Sequence, residues 1–197
     1  MCIRDSFGAE LCEIRPGDTV AVIGAGPVGL CAMQCAKLFG AGKVIALDLD
    51  ESRLQVAKEQ GLAEVCLSAE PDQFIEQILQ CTKGRGADAV IEAAGTPESF
   101  ATAWQIARPN SVVALVAMYE STQMLPLQQM YGKNLIFKTG GVDAVHSERL
   151  LDLIAAGRLS TDFLITHSGP LNDILEGYRV FGQRLDHCLK WLVTPYQ

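Results

Sequence analysis

A doubly wound α/β fold, with a parallel six-stranded sheet and helices on both faces, is the fold class this sequence predicts, and three features predict it. Short runs rich in β-branched residues alternate in order with segments of helical period. These runs are apolar throughout instead of alternating with polar residues, which suits strands buried on both faces. Between the first run and the first helical segment lies Gly24-Ala25-Gly26-Pro27-Val28-Gly29, a glycine-rich bend at a strand-to-helix junction.

The elements follow in sequence. Thr19 to Ile23 (TVAVI) predicts the first strand and Lys43 to Leu47 (KVIAL) the second. Pro27 to Phe39 between them is apolar almost all round, as expected of a helix pressed against a sheet, and Gly40 and Gly42 end it. Glu51 to Gln60 reads as a surface helix stopped at Gly61, Val65 to Leu67 as a third strand, and Asp72 to Thr82 as a helix. Ala87 to Ile91 predicts the fourth strand, Glu98 to Ala107 a helix closed by Pro109-Asn110, Ser111 to Ala117 the fifth strand and Asn134 to Lys138 the sixth. Right-handed crossovers then place the ligand crevice at the carboxyl ends of the strands, where the strand order reverses. The character changes after Gly140-Gly141: Ser147 to Ala156 and Leu171 to Gly182 read as helices, followed by an apolar run from Cys188 to Val193. Three segments result: a leader and linker at 1–15, the sheet domain at 16–141 and a tail at 142–197. The opening MCIRDS has no periodicity leading into the fold and is expected to be a non-native or frayed leader.

Composition narrows the function classes. The 197 residues are 49% hydrophobic and 20% charged, as in ordinary globular enzymes. Net charge is −7, and the basic residues are scattered singly, so nucleic acid is not an expected partner. Gln34 and Lys37 interrupt the longest apolar stretch, Val20 to Phe39, so no membrane span is expected. Seven cysteines, an odd number without a CxxC pair, read as small core side chains in a reducing cytoplasm. Cys31 and Cys35 share a helix face at a spacing open to metal ligands, but neither flank offers a third ligand, so they too read as core. His146, His167 and His187 are too dispersed to suggest a site.

The glycine bend carries the chemistry. Gly24 lets the chain turn out of the strand, Gly26 removes the side chain that would hold a diphosphate away, and Gly29 lets the helix close on the sheet. Pro27 loses no hydrogen bond, because the first amides of a helix lack intrahelical partners, and the free amides and helix dipole favour phosphate. Asp48, at the end of the second strand, is where a ribose-binding acid belongs; its carboxylate accepts from ribose hydroxyls and repels a 2′-phosphate, which favours NAD over NADP. Asp50 competes for that role, but reads better as the N-cap of the helix that holds Arg53. Flavin and S-adenosylmethionine sites also use glycine-rich turns, so the adenine-ribose half of the reading is firmer than the nicotinamide half.

GDTVAVIGAGPVGL, VIALD, GADAVIEAAGTPESF, GKNLIFKTGG and LITH, in that order, resemble the coenzyme-binding half of the zinc-dependent medium-chain dehydrogenases, the alcohol and formaldehyde dehydrogenase-like members above all. The similarity runs from about Phe7 to Pro195. It implies a Rossmann domain followed by a helical and strand tail belonging to a truncated catalytic domain. It implies that Gly24, Gly26, Pro27, Val28 and Gly29 form the pyrophosphate turn, that Asp48 is the ribose acid and that Arg53 flanks the adenosine. Ala93 and Gly95 match positions beside the cofactor, and Val116, Ala117 and Met118 match the segment that meets the nicotinamide carboxamide, Ala117 standing where glycine is common. Lys190 matches a basic position near the pyrophosphate, or is simply an exposed strand lysine.

In such a family the complete protein transfers hydride between an alcohol or aldehyde and NAD(H), with zinc as Lewis acid. The resemblance places the zinc ligands and any catalytic residue outside this chain, so none is expected here, Cys2 and Asp5 being poor substitutes. The fragment is therefore expected to be inactive alone, to be cytoplasmic, and to form homo-oligomers through the sheet edge at Leu135 to Lys138. Leu150, Leu151, Leu153, Ile154, Phe163, Leu164 and Trp191 are expected to face an absent partner as an apolar patch. The alternatives are a stand-alone dinucleotide-binding redox sensor without catalysis, and a methyltransferase or flavin domain. Alcohol, polyol, threonine and formaldehyde all stay open as substrates.

Overall fold

A computed structural model describes residues 2–69, 71–142 and 144–195, with the side chains of 2–5, 71 and 72 outside the description. Cys2 and Asp5, weighed as metal ligands, fall among those side chains. The chain divides into two compact units, Met1–Glu148 and Arg149–Gln197.

The first unit is the predicted sheet. Its strands are β1 (Thr19–Ile23), β2 (Lys43–Leu47), β3 (Val65–Leu67), β4 (Ala87–Glu92), β5 (Ala107–Leu115) and β6 (Ile136–Thr139). They lie in the order β3-β2-β1-β4-β5-β6, and every pairing is parallel. The helices are α1 (Cys2–Leu11), α2 (Pro27–Leu38), α3 (Glu51–Glu59), α4 (Pro71–Cys81), α5 (Pro97–Ile106) and the short α6 (Leu127–Met130). Chain order reverses between β1 and β4, so the crevice of a doubly wound sheet opens beyond Ile23 and Glu92.

Burial on both faces explains the continuous apolar strands. Ala21, Ile23, Ile45, Leu47, Val90 and Val113 pack with Phe74 and Ile78 of α4 and Ala103 and Ile106 of α5. The intervening residues Val20, Val22, Val44, Ala46 and Ile91 are equally buried and take the other face. There α2 comes so close that a Cβ on Gly29 would sit 3.6 Å from Val22 Cγ1, and a Cβ on Gly8 of α1 would sit 3.4 Å from Ile91 Cγ2. Each large aliphatic buried in this way contributes about 1.5–3 kcal/mol.

Three boundaries depart from the sequence reading. Where a frayed or non-native leader was expected, Cys2–Leu11 form α1, with Ser6, Ala9 and Cys12 buried and Cys12 Sγ donating to Val90 O at 3.4 Å. Its pattern is hard to read because Gly8 and Ala9 give it contact through closeness of backbone instead of bulk. The fifth strand begins at Ala107, not Ser111, because Ala107 pairs directly with Ala87 as soon as α5 ends. Pro109-Asn110 therefore lie inside a register shift of the strand, where Asn110 takes a positive φ of 60° and donates its amide to Lys133 O at 2.7 Å. The shift is anchored by Asp88, which accepts from Arg108 Nε at 2.6 Å and from the Thr19 amide at 2.8 Å. Burial alone works against the charge of Asp88, but those two donors and Arg85 outweigh it and hold its carboxyl below the usual value. The sixth strand, finally, begins two residues later than the predicted Asn134, since Asn134 has φ 47°.

A half-buried ammonium closes α5. Lys133 Nζ donates to the carbonyls of Trp104 (3.1 Å), Gln105 (2.5 Å) and Ala107 (2.9 Å) at the end of the helix, the favourable end of its dipole for a cation. Desolvation lowers its pKa below the ordinary lysine value.

The second unit carries most of α7 (Ser147–Ala155), then β7 (His167–Pro170), α8 (Ile174–Gly182) and β8 (Trp191–Thr194). The two strands pair in parallel; β7 was not foreseen, since HSGP offers no apolar pattern. Leu150 and Leu164, expected in the exposed apolar patch, are buried. Exposed apolar side chains do occur here, chiefly Leu151, Leu171, Leu175 and Tyr178. No helix among the described residues is long and apolar enough to cross a membrane.

Candidate functional site

The bend after β1 is held by backbone and by one carboxylate. Gly24, at φ 94°, donates its amide to Leu47 O at 2.8 Å, which carries the ladder between β1 and β2 one residue past the strands. Asp48, the first residue after β2, accepts from the Ala25 amide at 2.5 Å through Oδ2 and from the Asp50 amide at 2.9 Å through Oδ1. The acid proposed for the ribose is therefore bolted to the turn proposed for the diphosphate.

The three glycines are required for different reasons. A Cβ on Gly24 would lie 3.1 Å from Ala93 C and Ala94 N, and its positive φ disfavours any side chain. A Cβ on Gly29 would lie 1.7 Å from the Gly24 carbonyl oxygen, an impossible approach. Gly26 is different. Its φ of −72° and ψ of −179° are open to any residue, and among the described residues beyond its chain neighbours its Cβ would meet within 4 Å only Arg53 Nη1, at 3.5 Å. Folding makes no use of the missing side chain at Gly26, whereas a phosphate lying over the bend needs that space.

Around this space the chain is electropositive. Gly26 is the N-cap of α2 and Pro27 opens the helix, so the amides of Val28 and Gly29 have no carbonyl one turn earlier and the dipole's positive end faces outward. Arg53 brings its guanidinium beside Gly26 and approaches Asp50 Oδ2 at 3.6 Å. Asp50 caps α3, accepting from the Ser52 amide at 2.9 Å and the Ser52 hydroxyl at 2.6 Å. Burial opposes its charge, yet the two Ser52 donors and Arg53 keep its carboxyl below the usual value. Asp50 is thus the cap of α3, as the sequence reading had it.

The exits of β4 and β5 form the other half of the crevice. Ala93 donates its amide to Ile23 O at 2.8 Å, next to the bend. Gly95 has φ 79°, and a Cβ there would be 2.8 Å from Met118 O, so the two exits touch. Val116 is buried, Ala117 half-buried and Met118 largely exposed. Gly24, Gly26, Pro27, Val28, Gly29, Asp48, Arg53, Ala93, Gly95, Val116, Ala117 and Met118 all belong to the first unit, on strand exits or the helix starts after them. Lys190 belongs to the second unit, where its ammonium lies 5.8 Å over the Phe181 ring.

Sequence reasoning passed over Glu92 and Tyr119. Glu92, the last residue of β4, is fully buried. Its Oε1 accepts from the Ala94 amide at 2.8 Å and the Gly95 amide at 2.9 Å, and its Oε2 accepts from the Tyr119 hydroxyl. Burial, and then the bond to Glu92, raise the pKa of Tyr119 far above the usual phenol range. An acid closing the apolar strand ADAVIE was the one available signal.

Residues 27–154 match the family model described as zinc-binding dehydrogenase. An alcohol dehydrogenase of Cupriavidus necator is 35% identical over 195 residues, covering 96% of this chain and 52% of the relative. The NADP-dependent isopropanol dehydrogenase of Thermoanaerobacter brockii is 37% identical over 166 residues, covering 81% of this chain and 47% of the relative. Among solved structures, zinc-dependent alcohol dehydrogenase 2 of Streptococcus pneumonia in its apo form superposes with a TM-score of 0.91 at 29% identity, over 99% of this chain and 58% of that one. The chain thus spans about half the length of the curated relatives it matches. Among the described residues no three His, Cys, Asp or Glu side chains are grouped so that they could hold a metal ion.

Proposed function

Because this chain belongs to the zinc-binding dehydrogenase family, we propose that it binds a nicotinamide dinucleotide, NAD in preference to NADP, and holds it for hydride exchange with an alcohol or aldehyde. One observation carries the reading: Gly26 lacks a side chain where neither backbone conformation nor packing asks for that, on an electropositive helix start tied to Asp48. The bend's amides and the Arg53 guanidinium receive the diphosphate, and the Asp48 carboxylate receives the adenosine ribose hydroxyls.

The preference for NAD rests on Asp48. Both its oxygens are already engaged by backbone amides, so it cannot swing away from a 2′-phosphate, and the repulsion is built in. A relative of similar identity is named NADP-dependent, so the preference follows from this residue and not from the family. Ala93, Gly95, Val116, Ala117 and Met118 border the nicotinamide half. When bound, the nicotinamide supplies the hydride acceptor or donor; this chain supplies its position and one wall of the cleft.

Alcohol turnover belongs to a protein of the relatives' full length, and the chain by itself binds cofactor without oxidising alcohols. It is cytoplasmic and associates with a second copy along β6, an edge strand whose Ile136 is exposed. Calorimetric titration with NAD, NADH and NADP tests the reading. Saturable heat with NAD and NADH, and affinity for NADP at least about tenfold weaker, is the expected result. Folded protein that gives no heat with either NAD or NADH refutes it.

A further inference from the structure

We propose that Glu92 and Tyr119 are the positioning residues of the nicotinamide half of the site, acting as one bracket that holds the two strand exits in register. Glu92 stands at the reversal point itself, paired with Ile23 of β1 on one side and Leu115 of β5 on the other. Its carboxylate takes the Ala94 and Gly95 amides of the β4 exit, while its backbone carbonyl takes the Val116 amide at 2.9 Å and the Ala117 amide at 3.3 Å of the β5 exit. The Tyr119 hydroxyl closes the circuit onto the remaining carboxylate oxygen. Tyr119 is braced in turn by Phe100, edge to face, with ring centroids 6.1 Å apart.

A fully buried acid is costly to retain unless its acceptors are filled. Here both carboxylate oxygens are engaged by donors from the loops that border the nicotinamide in the proposed site, and none of these three donors comes from the glycine bend. Gly95 and Met118 meet backbone to backbone, so a shift of either exit moves the other. The adenosine half is organised separately, by Asp48, Arg53 and the bend. The bracket therefore governs one end of the dinucleotide and leaves the other alone.

This inference rests on the proposed dinucleotide site, and the experiment separates the two. Affinities for NADH and for ADP, which has the diphosphate and adenosine but no nicotinamide, are measured calorimetrically on the wild type, Glu92→Ala, Glu92→Gln and Tyr119→Phe. Glu92→Ala is expected to weaken NADH about tenfold or more, and Tyr119→Phe about three- to tenfold, with ADP held within about twofold. Gln keeps an acceptor for the two amides and can face Tyr119 with its NH2, so Glu92→Gln is expected to restore NADH binding to within about threefold of wild type. Should Glu92→Ala not fold, Tyr119→Phe decides alone. NADH and ADP weakening in the same proportion, or NADH unaffected in Tyr119→Phe, overturns the bracket while leaving the site intact. Wild type that binds neither ligand removes the site and the bracket together.

Discussion

Gly26 and Gly29 belong to one motif and stand three residues apart, yet alanine should act on them in opposite ways. At Gly26 the backbone is extended and the new methyl meets only the far end of Arg53, 3.5 Å away. Folding then gains from the reduced freedom of the unfolded chain, about 0.4–1 kcal/mol. For a domain of this size that is a rise of roughly 1–4 °C in Tm. At Gly29 the methyl would stand 1.7 Å from the Gly24 carbonyl oxygen, a backbone atom that no rotamer change can remove. Helix α2 would have to back away from the bend, at a cost of about 3 kcal/mol or more, or roughly 6–12 °C. Binding should follow a different rule. A methyl at Gly26 occupies the place of a phosphate oxygen and breaks at least one hydrogen bond to a charged group, about 1.5–3 kcal/mol, or roughly 10- to 150-fold in affinity. Thermal unfolding followed by circular dichroism, with calorimetric titration of NADH on the same preparations, gives both quantities. A Gly26→Ala protein that is as stable as wild type and binds NADH equally well would refute the argument that this glycine serves a ligand. One that melts well below wild type would show that its role is structural.

Asp48→Asn should weaken NAD roughly tenfold or more through loss of a charge-assisted bond to the ribose, and should narrow the gap between NAD and NADP, as titration with both will show. Asp88→Asn should destabilise by about 1–3 kcal/mol, because the carboxylate joins β1, β4 and the register shift of β5. The Asp88 carboxyl is depressed in the folded chain, so its contribution is complete above the unfolded value of about 3.9 and is lost as pH falls through the folded value. Denaturant midpoints of wild type and variant should therefore converge on acidification below about pH 4, and a constant difference down to pH 2 would contradict this. Lys133→Met, which keeps the stem and removes the ammonium from three helix-end carbonyls, should cost about 1–3 kcal/mol in urea unfolding. Cys12, whose thiol burial pushes to about 12, should resist iodoacetamide at pH 8 in the folded protein and react once urea is added, as peptide mass mapping will show.

Much of this protein was settled by local pattern. β-Branched runs, helical periodicity and the glycine bend specify the strands, the helices and their order with no long-range information, because each signal lies within one element or one junction. The bend, Asp48 and the cap at Asp50 were legible for the same reason: their partners lie within a few residues, or across the two strands the bend itself adjoins. What tertiary structure decided depends on pairing between distant segments. Ala107 is strand and not helix because Ala87 lies beside it, and Asn110 sits in a bulge because Asp88 and Lys133 hold its neighbourhood. Helix α1 exists against α2 and β5 through small residues that leave no periodic trace. Glu92 reads in sequence as one more acid at a strand end; Tyr119, 27 residues onward, and the amides of the following turn make it a fully buried keystone. A carboxylate's meaning depends on whether water or protein fills its lone pairs, and only the folded chain settles which.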